Sequence, residues 1–114
     1  MRDTLAARLI ACPRFRWLDG MRISSPPELA GLRVTTGSVV SPAALPDLDD
    51  PATVGCLRAL VREVRREPHG FVLPPGALTD GWAWCRSAAR SPPEPMLFEG
   101  DTEAAALVVA LEWM

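Results

Sequence analysis

The stretch DLDDPATVGCLRALVREVRRE, residues 47–67, decides the fold of this chain. Asp49 or Asp50 can cap a helix that begins at Pro51, a position where proline loses no hydrogen bond. Apolar residues recur with the helical period, and arginines occupy the opposite face. The apolar set is Val54, Leu57, Leu60, Val61 and Val64, and the arginines are Arg58, Arg62, Arg65 and Arg66. This pattern predicts an amphipathic helix that ends at Pro68.

Two further helices are predicted near the ends of the chain. Asp3 and Thr4 precede apolar residues at helical spacing, and Pro13 stops that first helix. From Asp101 to about Trp113 the chain is rich in Ala and Leu and is apolar nearly all round. Such a pattern is typical of a helix buried against a sheet.

Short runs between the helices have the character of strands. Apolar residues alternate with arginines over residues 14–23 around Asp19-Gly20, which predicts a hairpin, and residues 32–34 and 39–40 predict a weaker one. After the central helix, residues 71–73, 82–85 and 96–99 follow Pro/Gly-rich turns. Strands joined by short turns favour an antiparallel sheet with helices on one face. We predict one α+β domain over residues 1–114, with three to five strands and about three helices, in the approximate order α-β-β-(β-β)-α-β-β-β-α.

Composition excludes several classes of function. The chain has 114 residues, 12 basic and 14 acidic side chains and a net charge of −2, which argues against a protein that depends on nucleic-acid phosphates. The charge is polarised, because residues 1–40 carry six arginines against three acids (+3) and residues 41–114 carry six against eleven (−5). No apolar run approaches the ~18–20 residues that span a bilayer, so we expect no membrane association.

The cysteine spacing indicates a reducing compartment. Cys12, Cys56 and Cys85 are far apart and form no CxxC pair, so they predict buried thiols rather than a disulfide framework. A zinc site of the three cysteines with His69 is arithmetically possible but lacks local ligand pairs. Leu9-Ile10-Ala11-Cys12 matches a lipoprotein cleavage box, yet Arg8 interrupts its apolar stretch and too few residues precede the cysteine. We therefore predict a cytoplasmic protein.

Few residues could carry out catalysis. His69, in a Pro-His-Gly turn, could act as a general base, but the sequence around Cys56 and Cys85 has no nucleophile signature. Asp47, Asp49 and Asp50 could bind a divalent cation, although their position before the central helix also explains them as caps. No phosphate-binding or HExxH motif occurs. The sequence predicts a protein that is not an enzyme and has no metal or cofactor.

Two aromatic clusters are candidate binding surfaces. In Arg14-Phe15-Arg16-Trp17, arginines could meet phosphates while aromatics stack on exposed bases, but on a strand the aromatics could equally face the core and the arginines the solvent. Trp82 and Trp84 would share one strand face, either inside the core or as a patch for a partner. Both interpretations stay open from the sequence. The candidate partner-binding residues are Arg14, Arg16, Trp17, Trp82 and Trp84.

Three blocks of the chain resemble a known group of proteins. They are CPRFRW with GMR (residues 12–17 and 20–22), LPDLDDPATVGCL with VRE (45–57 and 61–63), and TEAAALVVALE (102–112). Together they resemble small uncharacterised accessory proteins of tailed phages and prophages of GC-rich bacteria. The resemblance implies a protein that acts in the cytoplasm of the bacterial host by binding another protein. Components of host defence systems, which such binding would inhibit, are among the partners that it implies. The alternative is a small nucleic-acid-binding module that uses the N-terminal Arg/aromatic strand.

Overall fold

A computed structural model describes residues 2–35, 40–76, 80–85 and 98–112. The described elements are α1 (Arg2–Ala11), β1 (Ile23–Ser25), β2 (Leu45–Pro46), α2 (Pro51–Arg65), β3 (Phe71–Leu73), β4 (Trp82–Cys85), β5 (Phe98–Gly100) and α3 (Glu103–Glu112). They confirm the α+β class. The chain divides into two compact units, Met1–Leu57 and Arg58–Met114, and the boundary falls within α2. The single domain expected over residues 1–114 stays a prediction.

The first unit contains a hairpin, but not the one expected around Asp19-Gly20. The amide of Gly20 donates to the carbonyl of Val34 (2.8 Å), and the amide of Val34 donates to the carbonyl of Met21 (2.8 Å). Residues 20–23 therefore pair with residues 31–34, and the proline-containing segment 24–30 connects them. The expected strand over residues 14–18 was wrong, since those residues form no strand. The alternation holds for Met21 and Ile23, which are buried on either side of exposed Arg22.

A two-stranded antiparallel sheet extends this hairpin. Ile23 pairs with Pro46 and Ser25 with Leu45, so β1 lies beside β2. The turn of the weaker predicted hairpin, residues 36–38, lies outside the described residues, as does Val39 of its second strand. Arg33, which was expected in that hairpin, pairs with Arg22 instead.

Helix α2 begins as predicted and ends earlier. The amide of Val54 donates to the carbonyl of Asp50, which is the N-cap, and Pro51 is the first helical residue. The helix ends before Pro68 because Arg66 adopts a left-handed conformation (φ 55°). The amide of Glu67 donates to the carbonyl of Arg62 (2.9 Å), and that of Arg66 to Glu63 (3.2 Å). These two bonds form a Schellman cap in which arginine occupies the position that usually holds glycine.

The second unit is a three-stranded meander covered by a helix. The strand order is β3-β4-β5, with Val72 opposite Trp84 and Trp84 opposite Phe98. Helix α3 packs against this sheet. Its side chains are buried nearly all round, as its composition predicts: Ala104, Ala106, Leu107, Val108, Ala110 and Leu111. The described strands thus form two small sheets of two and three strands rather than one larger sheet, one before α2 in the chain and one after it.

Candidate functional site

The Arg-aromatic segment, which we define as residues 14–18, leaves α1 and leads to the hairpin of the first unit. The amide of Phe15 donates to the carbonyl of Cys12 (3.0 Å), so the chain turns at Pro13 directly after the helix. At its other end, the amide of Leu18 donates to the Sδ of Met21 (3.4 Å). Cys12 and Met21 are both buried. An irregular segment is therefore held at each end by a residue of the core.

The side chains of this segment are only partly removed from solvent. Arg16 is exposed, while Arg14, Phe15 and Trp17 are half-buried. The rings of Phe15 and Trp17 meet edge to face, with centroids 5.5 Å apart and planes at 74°. The predicted separation of aromatics and arginines onto two strand faces does not occur, because residues 14–18 do not form a strand. Arginines and aromatics instead each keep some accessible surface in an irregular segment.

Trp84 lies in the core of the second unit, so it does not belong to an exposed partner-binding patch. Its side chain is 0% exposed, and its indole Nε1 donates to Oε1 of Glu67 (3.0 Å). Of the two interpretations open for this pair, the core one holds for Trp84, and its place among the candidate partner-binding residues is thereby corrected. Sequence alternation does place Trp82 and Trp84 on the same sheet face, but Trp82 is half-buried near the end of β4. Of the pair, Trp82 alone keeps some accessible surface.

Glu67 forms a buried polar cluster that the sequence pattern did not reveal. Its Oε1 accepts from the Nε of Arg65 (2.8 Å) as well as from Trp84. Arg65 also donates from Nη1 to the carbonyl of Ala110 (3.0 Å), one of the last carbonyls of α3. The side chains of Arg65 and Glu67 are each 8% exposed. Arg65 was expected on the solvent face of α2, and the cluster explains why it is buried: its charge is matched inside the unit.

The aspartates before α2 serve the fold. Oδ2 of Asp50 accepts from the amide (3.0 Å) and the hydroxyl (2.9 Å) of Thr53. Arg33 holds the same carboxylate with two bonds, of 2.8 and 3.0 Å. The amide of Arg22 in turn donates to the Thr53 hydroxyl (2.8 Å), which ties the hairpin to the start of the helix. Within the described residues no group of metal-ligating side chains occurs, and Asp50 has the capping role that the sequence also suggested.

This cluster predicts an acid-sensitive contribution to stability. The bonds from Arg33 and then Thr53 hold the pKa of Asp50 well below its ordinary value of 3.8, although burial opposes them. The charged form stabilises the folded state, so this contribution is complete above about pH 4 and is lost as the pH falls towards the folded-state pKa. Asp50→Asn keeps a capping oxygen but not the charge. We expect its destabilisation, measured by urea unfolding, to be largest near neutral pH and to shrink below about pH 4.

Two companion variants sharpen this measurement. Asp50→Ala also removes the capping oxygen, so it should lower the free energy of unfolding by about 1–2 kcal/mol more than Asp50→Asn does. Asp80→Asn, at an exposed aspartate of the other unit, serves as the control for removing one carboxylate. If the Asp50→Asn difference were constant from pH 7 to strongly acid solution, the carboxylate charge would not be the stabilising feature.

The residues considered for catalysis, His69, Cys56 and Cys85, differ in exposure and in partners. His69 is exposed in its turn, and its side chain forms no hydrogen bond with the described residues. Burial raises the pKa of the Cys85 thiol, which disfavours the thiolate. Cys56 is half-buried, and its Sγ donates to the carbonyl of Asp19 (3.3 Å). Cys12, like Cys85, is buried, in keeping with the small apolar role expected for the cysteines.

Trp113, at the end of the chain, lies outside the described residues. Within the described ranges, no helix has both the length and the apolar character needed to cross a bilayer. Comparison of the chain with family models, with curated proteins and with solved structures finds no match.

Proposed function

We propose that this chain is a non-catalytic phage or prophage accessory protein that acts in the host cytoplasm by binding a protein partner through the Arg-aromatic segment. The partner class is a host defence component, which the bound chain inhibits. The phage context rests on the resemblance of three sequence blocks to such proteins. The binding role rests on the surface of the first unit.

One observation carries the binding role: an exposed arginine beside a half-exposed tryptophan in an irregular segment with anchored ends. Arg16 and Trp17 belong to the residue types that dominate the energetics of protein interfaces. Irregular segments held by a rigid framework are where proteins commonly place binding residues. Because Cys12 and Met21 anchor the segment in the core, less conformational entropy is lost when a partner binds.

The geometry of the aromatic pair favours a protein over a nucleic acid. Bases stack on open aromatic faces, and the Phe15 and Trp17 rings instead meet edge to face at 74°. The net charge of −2 also opposes broad contact with a phosphate backbone. We therefore assign the Arg-aromatic segment to protein recognition and retain nucleic-acid binding as the outcome that would contradict it.

Truncation of side chains in the Arg-aromatic segment should weaken binding of the partner. The tagged chain, used as bait in a lysate of a GC-rich bacterial host, is expected to retain one stoichiometric protein. Trp17→Ala should weaken its binding by roughly 30-fold or more, since hot-spot truncations cost about 2 kcal/mol or more, and Arg16→Ala should weaken it as well. The affinity is measured with the purified partner by titration calorimetry.

The matched control is Leu32→Ala, which truncates a side chain of the same unit that is 54% exposed. It should leave the affinity unchanged, and all three variants should unfold at the same urea concentration as the parent. Failure to retain any stoichiometric partner would count against the proposal. A low-salt mobility shift of single-stranded DNA that is lost in Arg14→Ala and Arg16→Ala would assign the segment to the nucleic-acid alternative.

A further inference from the structure

The backbone of the turn between α2 and β3, residues 66–70, is held by several hydrogen bonds. Arg66 is left-handed at its start, and the Schellman bonds fix the next peptide. The amide of Gly70 donates to the carbonyl of Glu67 (2.9 Å), and the Nε of Arg62 donates to the carbonyl of Gly70 (2.7 Å). The turn is therefore bonded to the helix at its beginning and at its end.

The inner side of the turn is fixed as well. The Glu67 side chain points into the unit, where Arg65 and Trp84 both donate to it. A Cβ on Gly70 would overlap Cζ2 of Trp84 and lie 2.7 Å from its Cη2, so the indole packs directly on the glycine. These contacts leave the turn little room to rearrange.

Three side chains of the same turn face the solvent. Arg66, Pro68 and His69 are exposed, and the side chains of Arg66 and His69 form no hydrogen bond or ion pair with the described part of the chain. A non-glycine residue at φ 55° costs free energy that glycine would avoid. The turn thus presents a cationic side chain and an imidazole on a preorganised backbone, which reduces the entropy lost on binding.

The turn leads directly into a sheet edge. Within the described residues β3 pairs with β4 alone, so one edge of β3 faces no other strand. In a strand, the amide and the carbonyl of one residue point to the same side, and those of the next residue point to the opposite side. The backbone groups that point away from β4 therefore belong either to Val72 or to both of its neighbours. Phe71, Val72 and Leu73 are all half-buried and apolar. A strand edge without a second partner strand can accept an extended segment of another chain.

We propose that β3 binds an extended segment of a partner protein by strand addition, and that this segment carries acidic residues where it meets Arg66 and His69. Charge complementarity selects the occupant, because the exposed Arg66 carries a positive charge and the acid that follows it in the sequence, Glu67, is buried with Arg65. The apolar side chains of β3 call for apolar residues further along the segment. This surface belongs to the second unit, so the inference goes beyond the function proposed for the Arg-aromatic segment.

The probe is a displayed library of random peptides of about ten residues, enough to cover the turn and the strand, selected against the whole chain. We expect the selected peptides to combine acidic residues at one end with alternating apolar residues. Adding a selected peptide should shift the amide NMR signals of residues 66–73. Arg66→Glu should weaken its binding by about tenfold or more through charge repulsion.

Two variants separate binding from folding. Arg66→Gly should weaken peptide binding, because it removes the positive charge. It should also raise the urea midpoint of unfolding, because glycine adopts the left-handed conformation without strain. Arg16→Glu, in the other unit, should leave peptide binding unchanged, so a failure of the Arg-aromatic proposal does not affect this test. The inference is overturned by selected peptides without acidic residues, by NMR shifts confined to other residues, or by an unchanged affinity in Arg66→Glu. A selection with no binder tighter than about 1 mM, or Arg66-dependent binding of an oligonucleotide in preference to peptides, overturns it too.

Discussion

Gly70→Ala is expected to destabilise the second unit by about 3 kcal/mol, the upper part of the range for overpacked cores. The added methyl group would overlap the six-membered ring of Trp84. That ring cannot move aside cheaply, because it is fully buried and its Nε1 is bonded to Glu67. The backbone cannot yield easily either, since the Gly70 carbonyl accepts from Arg62. Urea unfolding followed by tryptophan fluorescence and near-ultraviolet circular dichroism measures the loss.

Gly55→Ala is the matched control for this substitution. Gly55 lies inside α2, and a Cβ there would meet no atom within 4 Å. The same change should therefore stabilise the protein by up to about 1 kcal/mol, because alanine favours the helix more than glycine does. In a Trp84→Leu background the cost of Gly70→Ala should fall markedly, since the clashing ring is gone. An equal cost in both backgrounds would show that Trp84 is not the obstacle.

The parts of the fold that sequence analysis predicted are those with local causes. Helix α2 follows from a capping aspartate, a proline at the first position and an apolar face of helical period. The three strands of the second unit are short apolar runs between Pro/Gly-rich turns, and α3 has the composition of a buried helix. Each of these signals lies within a few residues of the element that it specifies.

The hairpin of the first unit was misplaced because its cause is not local. Asp19-Gly20 resembles a hairpin turn, and Gly20 does adopt a positive φ of 95°. The glycine instead lies where pairing with residues 31–34 begins. Within that pairing Arg22 lies opposite Arg33, and residues at the start of α2 bind both of them. Asp50 binds Arg33, and Thr53 binds the amide of Arg22. No spacing rule relates these residues, which are separated by a proline-rich loop.

Contacts between residues distant in sequence also decide which of the candidate binding residues are buried and which are exposed. Alternation correctly puts Trp82 and Trp84 on one face of β4, but it does not say which face is covered. Trp84 is in the core because Glu67, seventeen residues earlier, supplies an acceptor for its indole there. Arg14, Arg16 and Trp17 keep accessible surface in a segment that does not form the expected strand. The partners that decide burial are distant in sequence, so the pattern alone left core and surface open.

Glu67→Ala should destabilise the second unit by about 3–5 kcal/mol, the usual cost of removing one partner of a buried ion pair. Without the carboxylate, the Arg65 guanidinium, 8% exposed, keeps its charge and loses its ion pair with Glu67. The indole Nε1 of Trp84 loses its acceptor in the same step. Glu67→Gln retains an acceptor oxygen for the indole but not the charge, so its cost should be smaller. Urea unfolding of both variants at neutral pH gives the comparison.

The control is a second ion pair of the same unit that water screens. Nη2 of Arg58 lies 2.7 Å from Oε2 of Glu103, and these side chains are 35% and 25% exposed. Glu103→Gln should therefore cost less than about 1 kcal/mol. Replacing both buried partners, as in Arg65→Met with Glu67→Leu, should recover part of the Glu67→Ala loss, because no unpaired charge remains. If Glu67→Ala cost no more than Glu103→Gln, the cluster would be a surface pair in solution, and the turn that it supports would have to be held by Arg62 and the Schellman bonds alone.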